Sequence, residues 1–316
     1  MTSSQGFDLI VIGAGPGGYT AAVRGAQLGL KVACVEKEPR LGGVCLNVGC
    51  IPSKALLDSS EYFHLAKTSF AEHGVKTGRV SLDLEAMMAR KQKVVEDLTQ
   101  QVQQLLDRHK IETIRGSARL SAPDSVSVAL ADGGTRDMTT KAVIIATGST
   151  PMALPGLDFD GEMIVSSTEA LSFDAVPKHL GIVGGGYIGL ELGSVWRRLG
   201  AKVTVVEMLP KIGTGLDGQV GRTLQRTLKR QGFDFKLNSR VTEAKVAGKK
   251  VKVTIATDDK QESLSVDHLL VSVGRRPLTD GLGLDDLGVA RDEKSDQIIV
   301  DETYRTNVAG VYAIGD

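Results

Sequence analysis

Asp8-Leu9-Ile10-Val11-Ile12-Gly13-Ala14-Gly15-Pro16-Gly17-Gly18 is an apolar run that ends in glycines, and the plan returns as Leu180-Gly181-Ile182-Val183-Gly184-Gly185-Gly186-Tyr187-Ile188-Gly189. Each run has the length and composition of a buried strand, and each glycine group leads into a helical stretch that closes at Leu28-Gly29 or Leu199-Gly200. Lys31-Val32-Ala33-Cys34-Val35-Glu36 and Lys202-Val203-Thr204-Val205-Val206-Glu207 then read as second strands ending in an acid. A shift of 171 residues (184 − 13) lands Gly13 on Gly184, Gly15 on Gly186, Gly18 on Gly189, Gly29 on Gly200 and Glu36 on Glu207.

One such glycine group is weak evidence, but here it twice follows a strand, opens a helix and meets an acidic residue 23 positions later (36 − 13, 207 − 184). That is the dinucleotide-binding βαβ unit. The first glycine permits the turn, the second lets a pyrophosphate approach the backbone, and the third lets helix and strand pack closely. The helix N-terminus then receives the phosphate charge. Glycines that merely pack a helix on a strand are the competing reading for each copy. Glu36 and Glu207 suit a ribose diol, and a carboxylate there repels a 2′-phosphate, so NAD is expected over NADP at the second site. Met208-Leu209-Pro210 supplies no arginine to offset that repulsion.

The expected fold is α/β, with two Rossmann-like domains, each a central parallel sheet with helices plus an antiparallel meander. Between the copies, Tyr62 to Ile111 reads as helical, with Val94, Val95, Leu98, Val102, Leu105 and Leu106 on a core-facing stripe. A coiled-coil seam is the rival, and the stripe is too short to sustain one. Thr113 to Leu130 alternates like strands, and Asp132-Gly133-Gly134 supplies a hairpin turn. Lys141 to Ala146 is a buried strand ending at Thr147-Gly148, and Pro151 and Pro155 mark a hinge. A second antiparallel set is expected over Phe233 to Val273, with a turn at Gly248-Lys249-Lys250. These signals divide the chain into residues 1–149, 150–277 and a return segment 278–316.

The 316 residues carry 38 basic and 38 acidic side chains, so no net field draws the chain to nucleic acid or an anionic membrane. Apolar runs stop well short of the ~18 residues that span a bilayer. Met1-Thr2-Ser3-Ser4-Gln5 has the features of neither a signal peptide nor a transit helix, and a cytoplasmic location is expected.

Two of the three cysteines, Cys45 and Cys50, stand in Gly42-Gly43-Val44-Cys45-Leu46-Asn47-Val48-Gly49-Cys50-Ile51-Pro52-Ser53-Lys54. The spacing suits a working disulfide, and in a thiol-reducing compartment such a pair is catalytic more often than structural. Two small buried hydrophobes are the bland alternative. Cys34, inside a strand, reads as core.

The two glycine units, the Cys45 to Lys54 run, Ala146-Thr147-Gly148, Gly184 to Glu191, Val273-Gly274-Arg275-Arg276-Pro277 and Thr306 to Asp316 together resemble the pyridine nucleotide-disulfide oxidoreductases, and their dihydrolipoamide dehydrogenases in particular. The resemblance covers nearly the whole chain. It implies FAD with its pyrophosphate at Gly13, Gly15 and Gly18, its adenosine ribose at Glu36 beside Lys37, and its ribityl chain at Asp316. The isoalloxazine ring would lie by Gly43, Val44, Cys45 and Lys54, with the backbone at Ala118, where the family often has glycine, and with Thr147 and Gly148 also on the cofactor. NAD would lie over Gly184, Gly186, Tyr187, Ile188, Gly189 and Glu207, with Val241 near the adenine and Val273, Gly274 and Arg275 on the nicotinamide side. Lys54 and Glu191 would meet at the flavin ring. Cys45 is the interchange thiol by this resemblance and Cys50 the donor to flavin, near a helix start at Pro52. No metal is implied.

The implied activity is oxidation of protein-bound dihydrolipoamide with reduction of NAD. The implied partners are lipoyl domains of 2-oxoacid dehydrogenase or glycine cleavage complexes, and a second copy in a homodimer. The family continues past an Ile-Gly-Asp like Ile314 to Asp316 into a C-terminal interface domain that brings a histidine–glutamate base. None of His64, His73, His109, His179 and His268 has that motif. The rival functions are an NAD(P)H-dependent reductase of another disulfide or a metal ion, of the glutathione-reductase or mercuric-reductase type, and a cofactor-binding fragment without turnover.

Overall fold

The computed structural model describes residues 6–258 and 260–316, so the reading of Met1 to Gln5 lies outside the described residues. They form two compact units, one of residues 6–50, 95–150 and 275–316, the other of residues 51–94 and 151–274. The division differs from the expected linear one chiefly at residues 51–94. Leu56 is fully buried in the second unit's core, and Leu57, Phe63, Leu84, Met87 and Met88 pack against the same cluster.

In the first unit, Gly6–Ile12 lies between Val32–Glu36 and Thr135–Ile145, parallel to both. Residues 112–115 of Glu112–Ala122 extend the sheet beyond Val32–Glu36, and Val311–Ala313 extends it beyond Thr135–Ile145. Ile10, Val11, Ala33, Cys34 and Val143 are fully buried, as strands covered on both faces demand. The long strands Glu112–Ala122 and Thr135–Ile145 leave this sheet and join Ser125–Leu130 in an antiparallel meander, whose hairpin turns at Gly133 and Gly134, both at positive φ. Fold class and hairpin match the expectation.

The second unit repeats the plan. Its parallel sheet runs Phe233–Lys236, Lys202–Val206, His179–Val183, His268–Val271, Ile164–Val165. The separate meander is Arg240–Ala247, Lys250–Thr257 and Lys260–Val266. The antiparallel set is therefore narrower than Phe233 to Val273. Helix Gly218–Arg230 makes a crossover that returns Phe233–Lys236 parallel to Lys202–Val206, and Phe233 is buried there.

The helical reading of Tyr62 to Ile111 also needs correction. Helices Cys50–Thr68 and Leu84–Arg108 are separated by a short 3₁₀ turn and irregular chain, broken where Gly74 takes φ +76°. The stripe survives in the second helix, where Val95, Val102 and Leu106 are buried. No described helix is long and apolar enough to cross a membrane.

Trp196 is the largest fully buried side chain, and its indole N–H donates to the Ala170 carbonyl at 3.0 Å. Trp196→Ala is expected to cost about 3–5 kcal/mol in chemical denaturation followed by circular dichroism. His179 and His268 are held below the ordinary histidine range of 6.5, first by burial; Lys202 adds to this at His179, and Asp267 opposes it at both. The unfolded chain thus binds more protons at these sites, and the second unit should lose stability as pH falls below about 6.5. His268→Phe, which keeps the ring against Phe173 (4.3 Å between centroids), should flatten that pH dependence in thermal melts.

Candidate functional site

Each glycine turn is built by close backbone approach. Gly13 has φ +102° and Gly184 φ +101°; a Cβ on Gly13 would lie 2.3 Å from the Ala146 carbonyl oxygen, and on Gly184 2.5 Å from that of Ser272. A Cβ on Gly18 would fall 1.8 Å from the Gly13 oxygen, and on Gly189 2.9 Å from that of Gly184. Gly15 and Gly186 are the extended N-cap residues of helices Pro16–Gln27 and Tyr187–Leu199. Neither cap has a side-chain hydrogen bond, so no side chain satisfies the first N–H groups of either helix from the cap position.

Sequence reasoning missed what the two acids do to these turns. Glu36 accepts from Ala14 N–H at 2.8 Å through one oxygen and from Glu38 N–H at 2.9 Å through the other. Glu207 accepts from Gly185 N–H at 2.6 Å and Leu209 N–H at 2.7 Å. The shift of 171 residues carries one pair of bonds onto the other (185 − 14, 209 − 38). Each carboxylate joins the glycine turn to the loop after the second strand. A carboxylate has about four acceptor sites, so two remain for a ribose diol.

The first unit fits a dinucleotide. A Cβ on Gly43 would lie 2.6 Å from Gly15 Cα, so these two backbones form a cradle beside the helix N-terminus that any side chain would fill. Gly17 lies in ordinary contact with Gly315, its Cβ position 3.6 Å from that Cα. Thr147 borders Gly13, and Gly148, at φ +71°, has open space on its Cβ side. Ser149 Oγ donates to Asp316 at 2.6 Å. The second unit is also open where a phosphate would come, with nothing within 4 Å of a Cβ on Gly186.

Other expected positions fall differently. The guanidinium of Arg275 binds Ser149 Oγ at 2.7 Å and sits 3.5 Å from Asp316, so it braces the first unit. Val241 is buried in the meander core, and Ile188 and Val273 pack against core clusters. Tyr187 is 71% exposed, and Gly274 at φ +145° has open space beside it. Ala118 pairs with Val128 in the meander, and the tight approach is at Gly116, whose Cβ would sit 2.3 Å from the Ala129 oxygen. Lys37 is exposed beside Glu38.

The dithiol run is helical, and its helix begins earlier than Pro52. Cys45 lies in the short helix Gly43–Val48, and Cys50 is itself the first residue of Cys50–Thr68. Gly49 passes between them so tightly that a Cβ would be 2.9 Å from the Val44 oxygen and 3.2 Å from Cys45 Cα. Asn47, also missed, staples the short helix by donating to the Leu41 and Gly43 carbonyls, both at 2.9 Å. Cys50 and Val44 are exposed, and Cys45 is partly so. Cys34, by contrast, is fully buried and its thiol is pushed up to about 12, first by burial and then by the Glu36 charge. It is core, as expected.

Lys54 and Glu191 do meet: the ammonium lies 2.8 Å from both carboxylate oxygens, and Ser53 Oγ donates to one of them at 3.3 Å. Among the described residues, no cluster of His, Cys, Asp or Glu could hold a metal ion.

Residues 7–316 match the model of the pyridine nucleotide-disulphide oxidoreductases. The chain belongs to this family. It is 49% identical to a leghemoglobin reductase of Vigna unguiculata, covering all of this chain and 62% of that protein. It is 48% identical to a mitochondrial dihydrolipoyl dehydrogenase of Pisum sativum (98% and 62% covered) and 50% identical to dihydrolipoyl dehydrogenase 3 of Pseudomonas aeruginosa (99% and 67% covered). Among solved structures, the Cu(II) complex of the HOCl-induced flavoprotein disulfide reductase RclA from Escherichia coli superposes with a TM-score of 0.84 at 29% identity, covering 99% of this chain and 66% of that one. The chain thus spans about three-fifths of the length of several curated relatives.

If the acids brace the turns, Glu207→Gln removes one acceptor and sets an amide N–H₂ against a backbone N–H. The variant should weaken binding of a reduced pyridine nucleotide about tenfold by fluorescence titration, a hydrogen bond to a charged group being worth roughly 1.5–3 kcal/mol.

Proposed function

We propose that the protein containing this chain is an FAD-dependent dihydrolipoamide dehydrogenase that passes electrons to NAD. The observation that carries the reading is the Cys45–Gly49–Cys50 arrangement, two helical cysteines beside a glycine cradle, in a chain about 48–50% identical to dihydrolipoyl dehydrogenases. Gly13, Gly15, Gly18 and Gly43 would hold the FAD pyrophosphate, with Glu36 on its ribose and Asp316 on the ribityl chain. Gly184, Gly186 and Gly189 would hold the NAD pyrophosphate, with Glu207 on its ribose.

A substrate thiolate attacks Cys45 Sγ in the oxidised pair, the Cys45–Cys50 bond breaks, and Cys50 leaves as thiolate. The second substrate thiol, once deprotonated, displaces Cys45, forming the substrate disulfide and leaving both electrons on the cysteine pair. Cys50 stands at the first position of its helix, where the backbone dipole favours negative sulfur. Bound FAD supplies an acceptor for that electron pair, and NAD a carrier that removes it as hydride. Lys54, held by Glu191, offers a cation to negative charge developing on the flavin side of the site.

NAD is proposed over NADP because Glu207 lies at the strand end, held in place by two backbone N–H groups, and no arginine follows it. The proposed partners are a second copy of the chain and lipoyl domains of 2-oxoacid dehydrogenase or glycine cleavage assemblies. The proposed location is the cytoplasm, while several relatives are mitochondrial. None of the five histidines is proposed as the base.

The test is the full-length protein. It should purify with FAD, reduce NAD with dihydrolipoamide, and favour NAD over NADP by about two orders of magnitude, since like-charge juxtaposition costs several kcal/mol. Absence of flavin, or turnover on glutathione disulfide or Hg²⁺ in place of dihydrolipoamide, would refute the reading. Cys50→Ser should abolish thiolate-to-flavin absorbance, whereas Cys45→Ser should show it in the oxidised enzyme; equal loss in both reverses the two roles.

A further inference from the structure

Two ion pairs tie the helix Cys50–Thr68 to the helix Tyr187–Leu199 within the second unit. Lys54 pairs with Glu191, and Glu61 pairs with Arg198, which also donates to the Leu57 carbonyl at 3.3 Å. The partners are seven residues apart on both helices (61 − 54, 198 − 191), about two turns or ~10 Å, and they follow in the same order. The helices therefore run in the same direction, joined at two levels. Leu56 and Leu57 from one helix and Leu190, Val195 and Trp196 from the other belong to one apolar cluster.

Apolar packing alone tolerates sliding by a turn; these charges do not. The polarity is crossed, cation to anion at the first level and anion to cation at the second. A slide of one turn separates both pairs. A slide of two turns sets Lys54 against Arg198, or Glu61 against Glu191. Lys54 and Glu191 each stand four residues into their helices (54 − 50, 191 − 187), so the paired register starts the two helices level.

We propose that Glu61 and Arg198 are positioning residues for Lys54: as a register lock two turns below it, they fix the height of the Lys54 ammonium, and of the first turns of its helix, against the helix Tyr187–Leu199. The proposal rests on the functional reading above, and neither residue touches substrate or cofactor.

The test uses the full-length holoenzyme with Glu61→Arg, Arg198→Glu and the double swap, reading FAD per chain, thiolate-to-flavin absorbance in the two-electron-reduced enzyme, and NAD reduction by dihydrolipoamide. Each single reversal should leave FAD content unchanged while lowering both absorbance and turnover about fivefold, and the swap should restore both to within about twofold, as expected for a pair whose coupling a double-mutant cycle isolates. Glu61→Gln and Arg198→Gln, which unpair without repulsion, should give smaller losses in the same direction. Singles that leave the band intact, or a swap no better than its singles, would overturn the lock while the functional reading stands. A wild-type protein without flavin would instead defeat the functional reading, and the lock with it.

Discussion

A carboxylate that bridges two loops is the interaction on which both halves of this chain depend. A glycine turn with φ near +100° has no side chain to hold it, and one backbone bond ties it to the second strand, Gly13 N–H to the Val35 carbonyl and Gly184 N–H to that of Val206. Glu36 and Glu207 supply a further restraint from the end of that strand, taking one N–H from the turn and one from the following loop. Because strand, turn and loop are then joined at one side chain, the phosphate cradle is formed by the polypeptide itself. A nucleotide entering such a site loses little to loop ordering.

The same economy appears in the dithiol run. Cys45 and Cys50 lie on different helices, yet Gly49 brings the turn between them within 3.2 Å of Cys45 Cα at its missing Cβ, and Asn47 closes the preceding turn from beneath. Two short-range constraints thus fix the backbone on both sides of the cysteine pair. Gly49→Ala would force the Val44 carbonyl away and move Cys45 with it.

Much of this was legible because it is local. Glycines 13, 15 and 18 and their copies at 184, 186 and 189 follow from strand-then-turn periodicity, and the acids from their spacing. What was not legible depends on partners distant in sequence. That Arg275 braces Ser149 and Asp316, that Val241 faces a core, and that residues 51–94 pack with the second unit all depend on contacts between separated segments. The long helical reading across 69–83 failed for a local reason: the apolar stripe that supports it begins only at Val94, and Gly74 and Gly78 interrupt the chain before it.

The duplication also shows which features belong to nucleotide binding and which to this chain's own chemistry. Whatever superposes under the 171-residue shift belongs to the shared βαβ frame: the turns, the caps and the bridging acids. The Cys45 to Lys54 run has no counterpart, since the same shift carries Cys45 to Leu216 and Cys50 to Gly221, in a loop and in a helix held by the Asp217 cap. A run unlike the stretch it shifts onto, held by its own glycine and asparagine, is where the two copies part in sequence. Function in this fold is therefore argued from what breaks the repeat.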